Sequence, residues 1–189
     1  MGRFDGKVVS IVGAASDNNM VEVMARRFAA ESAKVVVSGS HKETPSSLVE
    51  DIDGSIIQIS SATANIMLDD HAAYMGTKAG TDHLVRCVAN QYGSKGIRAN
   101  SISPGLTATP MTAEPLKSAA LLAEYESCYP LVRIGTSEDV AAAATFLASD
   151  ECFMTGENLQ VNGGLCLHRN PLGTELVDAM VSAGEIPSG

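Results

Sequence analysis

Lys7-Val8-Val9-Ser10-Ile11-Val12-Gly13 is the stretch on which the fold turns. A continuous β-branched run that ends at a glycine reads as a buried strand running into a turn. From Met20 to Ser32 the apolar residues Met20, Val23, Met24, Phe28 and Ala29 recur at helical spacing, while Arg26, Arg27 and Glu31 fall on other faces. Lys34-Val35-Val36-Val37-Ser38 is a second apolar run. Strand, helix and strand in this order predict a parallel, right-handed unit, and a nucleotide-binding half-fold becomes the leading expectation.

Outward from this unit, Gly39 to Gly54 is polar, with Pro45 offering at most one short helix start. Ser55-Ile56-Ile57-Gln58-Ile59-Ser60 predicts a third strand, and a long helix is expected from Ala72 to Tyr92 with Leu84, Val85 and Val88 on its inner face. Arg98 to Ile102 enters a strand that stops at Pro104-Gly105. A second strand, helix, strand unit follows from this. Thr107 to Pro130, rich in Ala, Leu, Met and Glu, reads as a mobile helical flap, and Ser137-Glu138-Asp139 caps a helix running through Val140 to Ala148. Asn158 to Val161 is the last strand, before Gly163-Gly164. The tail from Cys166 to Gly189 has no assignable element.

Composition narrows the function classes. The 189 residues are 45% hydrophobic and 19% charged, which fits one folded domain and excludes global disorder. A net charge of −9 repels phosphate backbones and anionic lipid, so no nucleic acid and no membrane is expected as a partner. No apolar run approaches the ~18 residues of a spanning helix, and Met1 to Lys7 lacks the apolar core of a secretory signal. A cytoplasmic location is expected. Cys87, Cys128, Cys152 and Cys166, like His41, His71, His83 and His168, are scattered without metal-ligand spacing, so no metal site is expected.

Tyr74-Met75-Gly76-Thr77-Lys78 places a phenol and an ammonium four residues apart, on one helix face and one turn from each other. A free tyrosine titrates near ~10, and a neighbouring cation stabilises the phenolate, so Tyr74 is a candidate general acid or base. Ser60-Ser61 stands at the carboxyl end of the preceding strand, where open parallel sheets place their ligands. A hydroxyl there can polarise a carbonyl. Each feature alone is also an ordinary helix surface or strand end; it is their order that carries weight.

With these residues in order, the chain resembles the short-chain dehydrogenase/reductase family over residues 1 to 40 and about 54 to 165. Tyr74 and Lys78 match the family's Tyr-x-x-x-Lys, and Ser61 stands thirteen positions before the tyrosine, as the family's serine does. Asn100 through Pro104-Gly105 to Thr109-Pro110-Met111 looks like the strand and turn that contact the nicotinamide carboxamide. Arg133-Ile134-Gly135, Glu138-Asp139-Val140, Thr155-Gly156 and Asn162-Gly163-Gly164 are similar to the C-terminal signature. The resemblance implies a single Rossmann-like α/β domain, a doubly wound parallel sheet reduced in strand number. Its parts are a nucleotide-binding half (1–40), a catalytic half (54–165) and a tail (166–189). It further implies hydride transfer between NADP or NAD and a carbonyl or secondary alcohol. In that scheme Tyr74 exchanges the proton, Lys78 assists it and binds the nicotinamide ribose, and Ser61 holds the substrate oxygen. Gly13, Ser16, Asn19, Met20, Ser40, Tyr74, Lys78, Pro104, Gly105, Thr107 and Thr109 would bind the cofactor.

The chain departs from that family in three places. Asp17 and Asn19 occupy the second and third positions of the glycine fingerprint that begins at Gly13, putting a carboxylate where a pyrophosphate would approach a helix N-terminus. An altered loop of this kind also resembles that of the divergent enoyl reductases. Gly39 and Ser40 replace the acid that would grip the ribose diol, while Ser38, Ser40, His41 and Lys42 can surround a 2′-phosphate, which tilts the expectation slightly to NADP over NAD; a polar strand end followed by a turn reads the same residues equally well.

Residues 39–54 are also too few for the two strands, their helices and the catalytic asparagine that the family carries there. The sheet must then close in the order second, first, then the Ser55, Ile102 and Leu159 strands, or leave apolar surface bare. A second copy of the chain is expected to cover that edge and the Ala72 to Tyr92 helix. Met111, Leu116, Leu121, Leu122, Tyr125 and Tyr129 in the flap point to a small apolar carbonyl or alcohol as substrate, although a plain packed helix explains them equally well. A degenerate, non-catalytic binding or assembly subunit fits the same residues and is the alternative.

Overall fold

The computed structural model of the chain describes residues 2–12, 19–38 and 54–187. The opening unit forms as expected: β1 (Val8–Val12) and β2 (Lys34–Ser38) pair in parallel, Val8 opposite Lys34, with α1 (Met20–Ala30) between them. Helix α1 starts at Asn19, whose side-chain oxygen accepts from the Glu22 N–H at 3.0 Å, and Arg27 sits in its last turn against the dipole. The helix stops two residues short of the expected Ser32, which takes a left-handed φ of +73°. Its buried face is Met24 and Phe28, and Phe28 meets Phe4 edge to face at 5.1 Å between centroids.

The second unit is a parallel ladder of β3 (Ser55–Ile59), β4 (Arg98–Pro104) and β7 (Asn158–Val161), in the order β3-β4-β7. Helix α2 (Ala72–Tyr92) lies over β4, while α4 (Ser137–Ala148) lies on the opposite face. Alternation sorts β4 between them: Ala99 packs with Val85 and Ala89 of α2, and Ile102 packs with Val140, Ala144 and Leu147 of α4. A short parallel pair, β5 (Thr107–Ala108) with β6 (Gly135–Thr136), was not expected. The flap between them holds α3 (Ala119–Ser127), begun by the Ser118 side chain accepting from the Leu121 N–H at 3.0 Å. The tail carries α5 (Gly173–Ser182), packed on α3.

Two expectations need correction, and a third is decided between its alternatives. The cap of α4 is Thr136, in a reciprocal capping box with Asp139, and Ser137 is already helical. Leu84 is 61% exposed, because the inward face of α2 is Asp82, Val85 and Ala89 with Val88 half-buried. The order within each ladder stands, but among the described residues no ladder joins β1 to β3. Helices make the junction instead: Met24 and Phe28 of α1 share one core with Val140, Ala141 and Ala144 of α4, sealed by Ile11 from β1 and Ile102 from β4. Lys7 pairs with Asp150 at its edge. Apolar side chains remain bare on the other face, Val8 at 54% and Ile56 at 48% exposure.

Candidate active site

The site is built at the carboxyl ends of β3 and β4. The Ser60 N–H donates to the Ile102 carbonyl at 2.7 Å, which carries the β3 backbone in register one residue past the strand. The next residue, Ser61, caps a single 3-10 turn over Ala62–Ala64. Its Oγ accepts from the Thr63 N–H at 3.2 Å and from the Thr63 hydroxyl at 2.9 Å. With two donors already on that oxygen, the hydroxyl's own proton is left to donate. Ser61 and Thr63 are both buried. Sequence reasoning passed over Thr63; the signal was a Ser-x-Thr spacing at a strand end, where a second hydroxyl can orient the first.

Tyr74 and Lys78 share one face of α2, as their spacing predicts. The Lys78 ammonium lies over the Tyr74 ring, 5.5 Å from its centroid, and donates to the Ile59 carbonyl at 2.9 Å. That carbonyl is two residues before Ser61, so one side chain ties the helix that carries Tyr74 to the end of the strand that leads into Ser61. Tyr74 itself is 45% exposed and reachable by a ligand.

The cofactor candidates divide by position. Gly13, Ser16 and Ser40, with Asp17, His41 and Lys42, lie outside the described residues. Asn19 caps α1, and the Met20 side chain packs against the shared core, which leaves its backbone as the part facing the helix N-terminus. Pro104 ends β4, Gly105 stands in the turn after it, Thr107 opens β5 and Thr109 follows β5. The Thr107 hydroxyl donates to the Gly105 carbonyl at 3.0 Å, the Thr112 hydroxyl donates to the Thr107 carbonyl at 2.7 Å, and the Thr109 N–H donates to Thr112 Oγ1 at 3.0 Å. The donor set suits a dinucleotide: a lysine with one hydrogen-bond acceptor among the described residues, and a small, hydroxyl-rich turn beside it.

Tyr129 is misplaced by the sequence reading. It is not a wall for an apolar substrate but a 2% exposed core residue beneath the turn, packed with Ala62 and Leu165. Burial pushes its phenol up to about 12, against the lowering effect of the Leu106 N–H. Met111, by contrast, is 91% exposed. The four cysteines are free, and among the described residues no group of three potential metal ligands comes together. No helix among them is long and apolar enough to cross a membrane.

Comparison with known proteins agrees with the fold. Residues 40–166 match the family model described as Enoyl-(Acyl carrier protein) reductase. The chain is 37% identical over 134 residues to 3beta-hydroxysteroid dehydrogenase 1 of Eggerthella lenta, covering 70% of this chain and 51% of that one. It is 39% identical over 118 residues to L-xylulose reductase of Caenorhabditis elegans, covering 60% and 45%. A short-chain type dehydrogenase/reductase from Mycobacterium ulcerans superposes with a TM-score of 0.79 at 23% identity, over 93% of this chain and 95% of that one. Another neighbour, from Agrobacterium tumefaciens, superposes at 0.75 with 18% identity, over 87% and 98%, and has bound NADP. The chain belongs to the short-chain dehydrogenase/reductase family. It spans about half the length of the curated relatives it matches.

Proposed function

We propose that the chain is an NAD(P)-dependent oxidoreductase acting on a small apolar carbonyl or secondary alcohol, with Ser61, Tyr74 and Lys78 as its working set. The observation that carries this reading is the Lys78 ammonium, held between the Ile59 carbonyl and the Tyr74 ring. A bound nicotinamide would supply or accept the hydride. Ser61 donates its free proton to the substrate oxygen, with Thr63 fixing the direction of that hydrogen bond. Tyr74 gives its proton to the same oxygen in reduction and takes it back in oxidation. Lys78 offers its remaining N–H groups to the cofactor's ribose and keeps a positive charge beside the phenol. The Pro104–Thr109 turn receives the nicotinamide end, and the N-terminus of α1 receives the pyrophosphate.

NADP is the preferred cofactor in this reading, on the strength of Ser38, Ser40, His41 and Lys42 in the sequence. Free thiols fit a cytoplasmic setting. A second copy of the chain covers the bare β1 and β3 side chains and the outer face of α2, and sedimentation as a stable monomer at working concentration would count against it.

Titration of the full chain with NADPH and NADH, followed by fluorescence or thermal shift, tests the reading. Binding is expected and is abolished by Lys78→Ala. Tyr74→Phe retains binding and loses roughly 10²- to 10⁴-fold in turnover, the range of a general acid's contribution. Silence with both nucleotides would favour a non-catalytic binding subunit, a reading that the β1–β3 junction without a ladder also motivates.

A further inference from the structure

We infer that Tyr129 is a positioning residue for the cofactor's nicotinamide end, its buried hydroxyl serving as the peg that fixes the Pro104–Thr107 backbone; this rests on the function proposed above. The hydroxyl accepts from the Leu106 N–H at 2.7 Å. The turn secures two of its own carbonyls, those of Gly105 and Thr107, with threonine hydroxyls of its own segment. The Leu106 N–H instead depends on a residue twenty-three positions away.

The fit is cut from both sides. A Cβ on Gly105 would run into the Tyr129 hydroxyl and lie 3.1 Å from Cε1 and Cζ, and a Cβ on Gly163 would lie 3.0 Å from Cδ1. Two glycines from separate turns are thus shaped to one ring. Tyr129 follows α3 directly, and its neighbour Leu131 donates its N–H to the Gly163 carbonyl at 3.2 Å. The ring therefore connects the flap, the turn after β4 and the glycine pair after β7. A neutral phenol accepts here without adding charge near the cofactor.

Tyr129→Phe keeps the ring and removes the peg. The Leu106 amide is then expected to exchange with solvent at least about tenfold faster in the unliganded chain, since its acceptor is gone. NADPH or NADH, whichever binds the parent chain, is expected to bind about tenfold more weakly, the scale of one lost hydrogen bond. Gly105→Ala should weaken binding further, and Gly105→Ala with Tyr129→Phe should bind better and melt higher than Gly105→Ala alone, because the nearest clash is relieved.

Unchanged exchange at Leu106, or a double variant no better than Gly105→Ala, overturns the inference. So does a Tyr129→Phe chain whose melting has become broad and noncooperative, since weaker binding would then reflect general loss of structure. If the parent chain binds neither nucleotide, the proposed function fails and the cofactor role of Tyr129 fails with it. Leu106 exchange and the melting of the double variant then still decide whether the hydroxyl fixes the turn.

Discussion

Among the described residues, Val132 is the one whose backbone is least suited to its side chain. Its φ is +53°, a left-handed conformation that a β-branched side chain resists, and its N–H still donates to the Tyr129 carbonyl at 2.8 Å. The side chain is 71% exposed, so little packing compensates. Val132→Gly is expected to raise stability by about 1 kcal/mol, the strain relieved being partly offset by the greater freedom of glycine in the unfolded chain. Denaturant melts of the two chains check it. Gly164 lies at the other extreme: with φ +87° and a would-be Cβ at 2.8 Å from Pro130 Cγ, it has neither the conformation nor the space for a side chain. At this scale the sequence was legible wherever the signal is local. Tyr74 and Lys78 could be paired because helix spacing sets their relation, and Ser60-Ser61 could be put at a strand end; the choice of Ser61 came from the family resemblance. Tyr129 could not, because its meaning lies in Leu106, Gly105 and Gly163, none of them near it in sequence.

Helix α2 shows what periodicity can and cannot decide about an element. Its bounds follow from the sequence, from Ala72 to Tyr92. Its buried face does not: Leu84 looks like core by hydrophobicity, yet Asp82 is the residue beneath the helix, accepting from the Asn158 side chain at 2.6 Å. A face is fixed by what packs against it. Gly76 and Gly80 lie on this helix with nothing within 4 Å of an added Cβ. Gly80→Ala is therefore expected to stabilise the dilute single chain by about 1 kcal/mol through helix propensity. Should that gain become a loss once the protein is concentrated enough to associate, a second copy comes within a methyl's reach of α2. Chemical denaturation across a concentration series separates the two regimes. Helix α5 escaped the sequence reading because Leu176, Ala179, Met180 and Val181 are only half-buried, and the surface they cover belongs to α3, about fifty residues earlier.

Among the described residues the molecule is held by its helices more than by a continuous sheet, and by a tail that reaches back to the loop before α2 and to α3. Asn170 donates to the Met67 carbonyl at 2.8 Å, the Gly173 N–H donates to Asp69 at 2.9 Å, and the Glu185 carboxylate accepts from the Ala120 N–H at 3.1 Å. Ion pairs close two of the corners. The Arg133 guanidinium, hydrogen-bonded to Asp139, holds that carboxyl down to about 2, and Arg169 does the same for Glu175, also to about 2. Carboxyls depressed in the fold relative to the unfolded chain contribute stability that is present above about pH 4 and is lost as pH falls toward 2. The melting temperature is thus expected to drop through that window, and Asp139→Asn should melt lower at pH 7 while losing less between pH 4 and 2. Tyr129 has the opposite sign: its raised value gives stability that is present below about pH 10 and is lost as pH rises toward 12. The α/β class and most elements could be read from the strand and helix periods. The helical junction between β1 and β3 could not, because local patterning says nothing of which strand edges meet.

The pair of hydrogen bonds that Thr63 makes to Ser61 imposes a polarity on whatever arrives. An oxygen already occupied by two incoming hydrogens can only hand one out. A ketone, an amide or a sulfoxide answers that offer with a lone pair, whereas an ammonium set in the same spot brings hydrogens to a seat where none is wanted. Among inhibitor scaffolds of equal shape, those presenting an acceptor at this point gain affinity, and those presenting a donor lose it.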